Sequence, residues 1–324
     1  MVAVTGLGSL PGTDYPGAVA MTFEDVPVPY LPELPARGPH ATMIARGAAV
    51  LSGLDAELTT SGWQLSATPG PDLRRARALL RDDLDMLAES VPDYAGPLRI
   101  PVAGPWTLIA SLDLPRGGRA LADSGARRDV AASLRQGTAD LLREVARRLP
   151  GVEPRLQLDE PSLPAVLAGG IPTPGGFFRV RAVDRSEAFG VLATWSGGED
   201  AVATVVHSCA PGLPIWPLLQ ATGLTGVSVD VSTLTSSDLD DLAAAVDAGR
   251  EMLLGVVGDA ATDVPTAVAR AWSVLRELGA GPEAGERLGV TPACGLASWR
   301  PADVRQVWRT LREVAKHMEE RLAG

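Results

Sequence analysis

Two cysteines and three histidines occur among the 324 residues. One of each falls in VVHSCAPGLP, where His207 precedes Cys209 at the end of an apolar run. On an extended segment, positions i and i+2 face the same side, so this imidazole and thiol can reach one ion. The second cysteine, Cys294 in TPACGL, lies too far downstream for a local knuckle. A shared site therefore requires the fold to deliver it. Asp230 closes another apolar run, LTGVSVDVS. One imidazole, two thiolates and one carboxylate make a credible zinc set, and thiolates select zinc over magnesium or calcium. Zinc carrying that much ligand charge is a weak Lewis acid toward water. It suits holding a substrate thiol as a thiolate that stays nucleophilic at neutral pH.

Plainer roles compete at each position. Isolated cysteines are most often buried small hydrophobes, and an aspartate at a strand end is often a helix cap, so both roles stay open for Asp230. In LQLDEP, Asp159 and Glu160 precede Pro161. A carboxylate there can bind the ammonium of an amino-acid substrate or act catalytically on a proton; the alternative is a helix start, with Asp159 capping and Pro161 in the first turn. GLGSLPG places Gly8 and Ser9 in a turn whose N–H groups can face a substrate carboxylate. It lacks the GxGxxG spacing of a dinucleotide loop. His40 and His317 read as structural or solvent-facing.

These residues are useful only if distant parts of the chain meet. Short apolar runs alternate with long amphipathic ones, which predicts a parallel sheet wrapped by helices. The predicted strands are MVAVTGLGS, AELTT near 56–60, PLRIPVAG, EPRLQLDEP, AVATVVHSC, LTGVSVDVS, EMLLGVVG and RLGVTPACG. Helical spacing runs from residue 73 through DLRRARALLRDDLDMLAESV and recurs over 129–149, 236–248, 264–278 and 301–322. Eight strands predict a single-domain (β/α)8 TIM barrel over 1–324. The C-terminal ends of barrel strands share one rim, where such folds place their chemistry. Gly8, Ser9, Asp159, Glu160, His207, Cys209, Asp230 and Cys294 all fall at such ends.

A formal net charge of −10 argues against a nucleic-acid partner and against docking on an anionic membrane. No run of about 18 apolar residues is present, and MVAVTGLGSLPG lacks the features of a secretory signal. Two distant cysteines make no disulfide framework, so a reduced, cytoplasmic setting is the expectation.

Taken together and in order, LGSLPGT, SGWQLS, AGPWTLIAS, LQLDEPSL, VVHSC, VSVDVST and TPACGL resemble the catalytic C-terminal domain of the cobalamin-independent methionine synthase family. The resemblance covers essentially the whole chain. It implies a zinc-dependent methyltransferase of methionine biosynthesis, with homocysteine as the thiol acceptor. His207, Cys209 and Cys294 match three of the family's zinc ligands, and Asp230 stands where the fourth is a glutamate. Gly8 and Ser9 match the turn that holds the homocysteine carboxylate, and Asp159 the aspartate near its amine. The departures concern the rest of the site. No N-terminal folate-binding domain precedes the matched region, and no acidic motif for the amine is visible around GPHATMIARG. Ser111 replaces a folate-stacking tryptophan, with Trp106 nearby. Ala260 or a neighbour replaces a proton-shuttling histidine, and Thr-Pro-Ala-Cys replaces Asn-Pro-Asp-Cys. A donor that needs no protonation, such as methylcobalamin or a methylcorrinoid protein, fits these departures better than methylfolate. The competing expectations are alkyl transfer to another small thiol, and a non-catalytic zinc-binding barrel.

Overall fold

Proline or a capping side chain at the head of most of the helical runs sets where they begin. The computed structural model describes residues 1–197 and 201–323. In chain order the elements are β1 (Ala3–Val4), α1 (Tyr15–Asp25), α2 (Met43–Val50), β2 (Asp55–Thr59), β3 (Gly62–Ser66), α3 (Pro71–Ser90), β4 (Gly96–Ala103), α4 (Pro105–Ser111), α5 (Ser124–Arg148), β5 (Val152–Asp159), α6 (Leu163–Ala168), α7 (Arg185–Ala193), β6 (Thr204–Ser208), α8 (Ile215–Thr222), β7 (Gly226–Asp230), α9 (Ser236–Asp247), β8 (Glu251–Val257), α10 (Val264–Glu277), β9 (Leu288–Pro292) and α11 (Pro301–Leu322). Asp14, Thr42, Asp123 and Asp263 cap α1, α2, α5 and α10 through their side chains, and Thr235 with Asp238 forms a capping box on α9. The long α11 buries Val304, Val307, Trp308, Leu311, Val314 and Met318 along one face, the stripe that a 3.6-residue period produces.

Seven strands form one sheet in the order β1-β9-β8-β7-β6-β5-β4, and every pairing in it is parallel. Both edges of this sheet bond to the same stretch of chain, residues 28–33. On one side, Val28 N–H donates to the Val4 carbonyl and Glu33 N–H to the Gly8 carbonyl, each at 3.0 Å. On the other, Leu31 N–H donates to the Arg99 carbonyl at 2.9 Å and Arg99 N–H to the Pro29 carbonyl at 3.0 Å. The sheet is therefore curled, with β1 and β4 brought to either side of one segment.

The run near 56–60, predicted as the second strand of this sheet, belongs elsewhere. Asp55–Thr59 is β2, paired antiparallel with β3 in a separate two-stranded hairpin. Thr60 and Ser61 make its tight turn, and Gly62 follows with φ +127, a conformation that costs glycine little. Residues 28–33 take the place between β1 and β4 instead. Their prolines at 29 and 32 break the strand signal, yet both fall where the pairing needs no N–H. The donors come from Val28, Leu31 and Glu33.

The interior is apolar along most of its length, with Leu98, Ile100, Leu156, Leu158, Leu254 and Val290 buried on the strands. Near the N-terminal ends, Arg99 of β4 reaches across to Glu251 of β8 at 2.8 Å, with the guanidinium almost fully buried. Among the described residues no helix is long and apolar enough to cross a membrane.

Candidate metal centre and thiol site

The parallel register sets the chemistry-bearing residues side by side. Asp159 at the end of β5 pairs with His207 on β6, and His207 pairs with Ser228 on β7. Cys209 directly follows β6, and Cys294 follows β9. The ligand atoms of His207, Cys209 and Cys294 all lie within 4.8 Å of one another. The two sulfur atoms are 3.1 Å apart. His207 is buried, Cys209 is half-buried and Cys294 is exposed, so the site is floored by the imidazole and open at the second thiol. His207 Nδ1 lies 3.0 Å from Ser228 Oγ, which leaves Nε2 free for an ion. A second partner on the far ring nitrogen is the usual companion of a metal-binding histidine.

Electrostatics favour one thiolate in the pair. The Cys209 S–H and the His207 imidazole, both hydrogen-bonded to it, hold the Cys294 thiol well below its ordinary range. Sharing that proton with Cys294, together with burial, pushes Cys209 up. Two sulfurs and an imidazole fit zinc by donor type and count, with three protein ligands and one open position as in substrate-binding zinc sites.

Asp230 is not brought into the group. Its Oδ1 accepts from Ser232 N–H at 2.8 Å and Ser232 Oγ at 2.7 Å, capping the single turn Val231–Thr233. Of its two possible roles, the cap is the one visible in its contacts.

Asp159 is buried at the floor of the same mouth. Its Oδ1 accepts from Gln157 Nε2 at 2.8 Å, and the same amide donates to the Leu7 carbonyl at 3.3 Å. Gln157 thereby ties the first turn of the chain to Asp159. Burial pushes the Asp159 carboxyl well above the usual range, and the nearby Glu33 charge adds to the rise. Glu33, which closes the segment 28–33, escapes a sequence reading. Pro29 and Pro32 remove the strand signal from that segment, so its place at the rim is not apparent. It is also buried, and its Oε1 accepts from Arg46 Nε at 3.0 Å. Neither Asp159 Oδ2 nor Glu33 Oε2 hydrogen-bonds within the chain among the described residues, and neither is sealed from solvent. Each carboxylate thus has one oxygen anchored and one available.

The neighbouring acid behaves differently. Glu160 Oε1 accepts from Trp106 N–H at 2.9 Å, and Oε2 from Thr107 N–H and Oγ, both at 2.8 Å. It closes the N-terminal end of α4, and burial lifts its carboxyl to about 7 against those bonds. A Cβ on Gly104 would sit 2.4 Å from the Glu160 carboxyl carbon. AGPWT and LDEP therefore interlock. The helix-terminal role considered for Asp159 falls to Glu160, and to a different helix, since Ser162 rather than Asp159 precedes α6.

Gly8 and Ser9 face the same mouth. Gly8 has φ +104, and a Cβ there would lie 2.8 Å from Pro101 Cγ and 3.7 Å from Glu33 Cγ. Ser9 Oγ occupies the space a Gly295 side chain would need, and Leu296 N–H donates to the Ser9 carbonyl at 2.9 Å. The GLGS turn is thereby packed against the CGL turn. No intrachain hydrogen bond among the described residues uses the Gly8 or Ser9 N–H, which leaves both donors for an anion. Ser111 Oγ is bonded to the Thr107 carbonyl. Trp106 is fully buried and donates to the Ala188 carbonyl, so neither presents an aromatic face to the mouth.

A family model described as "Cobalamin-independent synthase, Catalytic domain" matches residues 103–317. Among solved structures, a B12-independent methionine synthase from Shewanella sp. W3-18-1, in complex with selenomethionine, superposes with a TM-score of 0.66 at 13% sequence identity, covering 100% of this chain and 99% of that one. At that identity the likeness is one of fold. Among curated proteins no sequence matches the chain.

Proposed function

Because the chain belongs to the cobalamin-independent synthase catalytic-domain family, we propose that it transfers a methyl group to the thiol of homocysteine, giving methionine, with zinc held by His207, Cys209 and Cys294. The observation that carries this reading is the meeting of those three donor atoms within 4.8 Å on the rim that also holds Asp159 and Glu33. We further read residues 28–33 as the missing strand of a closed (β/α)8 barrel, and the whole of 1–324 as one catalytic unit.

Bound zinc supplies acidity to the substrate thiol, so that the attacking sulfur is a thiolate at neutral pH. The chain's own groups position that thiolate. The unused N–H groups of Gly8 and Ser9 take the substrate carboxylate. The free oxygens of Asp159 and Glu33 take its ammonium, an opposite charge that offsets the burial holding both carboxyls above their usual range. With both ends fixed, the side-chain sulfur is held on the open side of the His207, Cys209 and Cys294 group, where Cys294 is the exposed member. A sulfur–methyl bond forms as the donor–methyl bond breaks, and the electron pair leaves with the donor.

For the donor, membership of a cobalamin-independent synthase family weighs toward methylfolate, and a methylcorrinoid is the alternative. What supports the alternative is that Ser111 and the buried Trp106 provide no stacking surface for a pterin. The experiment is metal analysis of the purified protein, followed by homocysteine methylation assays with methylcobalamin and with methylfolate. Protein that stays metal-free with zinc under reducing conditions, or that methylates homocysteine from neither donor, ends the proposal. Transfer from methylfolate alone ends the corrinoid alternative.

A further inference from the structure

Glu33 does not stand alone behind the mouth. Arg46 of α2 donates through Nε to Glu33 Oε1 at 3.0 Å and through Nη1 to Asp83 Oδ2 of α3 at 2.6 Å. Arg37 Nη2 donates to the same Asp83 oxygen at 2.8 Å, and its guanidinium lies 4.9 Å from the Tyr15 ring centroid. Glu33, Arg46 and Asp83 are 5%, 6% and 0% exposed, so solvent screens these charges little. Two acids and two guanidiniums balance before any substrate arrives.

That balance bears on what Glu33 can do. If Arg46 paired with Glu33 alone, the close ion pair would leave little net negative charge for an incoming ammonium. Asp83 draws part of Arg46 away. We propose that Asp83 is a positioning residue for amine recognition: by sharing Arg46 with Glu33, it leaves Glu33 enough negative charge to select α-amino thiols over thiols that lack the amine. This rests on the reading of Glu33 and Asp159 as the ammonium site. A network that merely fastens α2 and α3 to the sheet would affect all thiols alike.

The test is calorimetric titration of the zinc-loaded protein with L-homocysteine and with 4-mercaptobutanoic acid, its analogue without the amine. Wild type prefers homocysteine. Asp83→Asn keeps the shape but leaves Arg46 undivided on Glu33 and adds net positive charge; the preference falls about tenfold, through homocysteine alone. Arg37→Gln, on the solvent side, has the opposite sign. Asp83 then draws Arg46 more strongly, and the preference holds or rises, so a misfolded Asp83 variant does not close the question. Equal weakening of both thiols, or no change in the Asp83 variant, overturns the positioning role and leaves the ammonium reading standing. So does a preference that falls in Arg37→Gln. Wild type that binds both thiols equally overturns the ammonium reading and this inference with it.

Discussion

Cys209 and Cys294 are 85 residues apart in the chain, and their sulfur atoms lie 3.1 Å from each other. Neither is near another cysteine in sequence, and no disulfide framework or local metal knuckle accounts for the contact. Two strands of one curled sheet bring them together, over a buried histidine that offers a third donor.

Metal removal follows from that geometry. Cys294→Ser and Cys209→Ser are each expected to lose most bound zinc, measured as metal content per chain after dialysis. In wild type, a strong chelator should lower the thermal midpoint, because an ion that binds only the folded state stabilises it by about 4 kcal/mol at a thousand times its dissociation constant. In the serine variants the chelator should change little. A wild-type midpoint that ignores the chelator counts against a metal centre.

Ser228 should matter to the metal without touching it. Its hydroxyl holds His207 Nδ1 at 3.0 Å, fixing the ring and its tautomer. Ser228→Ala is expected to weaken zinc affinity by about 10–100-fold, read by competition with a chromophoric chelator, while Ser228→Thr retains most of it. Equal affinity in wild type and alanine variant would show that packing alone orients the ring.

Glu160 should give the stability a pH dependence of defined sign. Its folded carboxyl is lifted from 4.5 to about 7, so the folded state holds this proton more tightly than the unfolded chain does. Its contribution therefore falls as pH rises through that window, by up to about 3 kcal/mol. Glu160→Gln cannot titrate, and its amide NH2 faces the N–H groups at the start of α4, so it is less stable at low pH. The deficit relative to wild type should narrow between pH 5 and pH 8 in urea denaturation. A deficit constant with pH would mean that the buried carboxylate is ionised throughout.

Gly8→Ala probes the carboxylate end of the site. The new Cβ meets Pro101 at 2.8 Å with the backbone at φ +104, a strained conformation costing about 1–2 kcal/mol. The expected result is a lower thermal midpoint and weaker homocysteine binding, with zinc content unchanged because none of the three ligands moves. Loss of zinc in this variant would place the turn in support of the metal instead.

Much of the candidate site was legible because the rule connecting sequence to rim is simple. A polar residue that ends an apolar run in an α/β chain lies at the C-terminal end of a strand. His207, Cys209, Cys294 and Asp159 obey it, Gly8 and Ser9 follow β1 in the next turn, and the helices α3, α5, α9, α10 and α11 follow their 3.6-residue period. Glu33 ends a segment that bonds to both edges of the sheet, but Pro29 and Pro32 keep that segment from reading as a strand. In its place the alternating AELTT run drew the assignment, although its tight turn and partner at 62–66 make it a hairpin.

Sequence by itself determined which residue types stand at strand ends, because periodicity and strand-end position are local properties of the chain. Tertiary structure alone decided which of them meet. It set Asp230 to capping its own turn, gave Glu160 to α4, passed His207 Nδ1 to Ser228, and linked Glu33 through Arg46 to Asp83. Those outcomes depend on the register between strands and on which buried donor finds which acceptor. Such choices lie in the packing of segments far apart in sequence, where no local pattern records them.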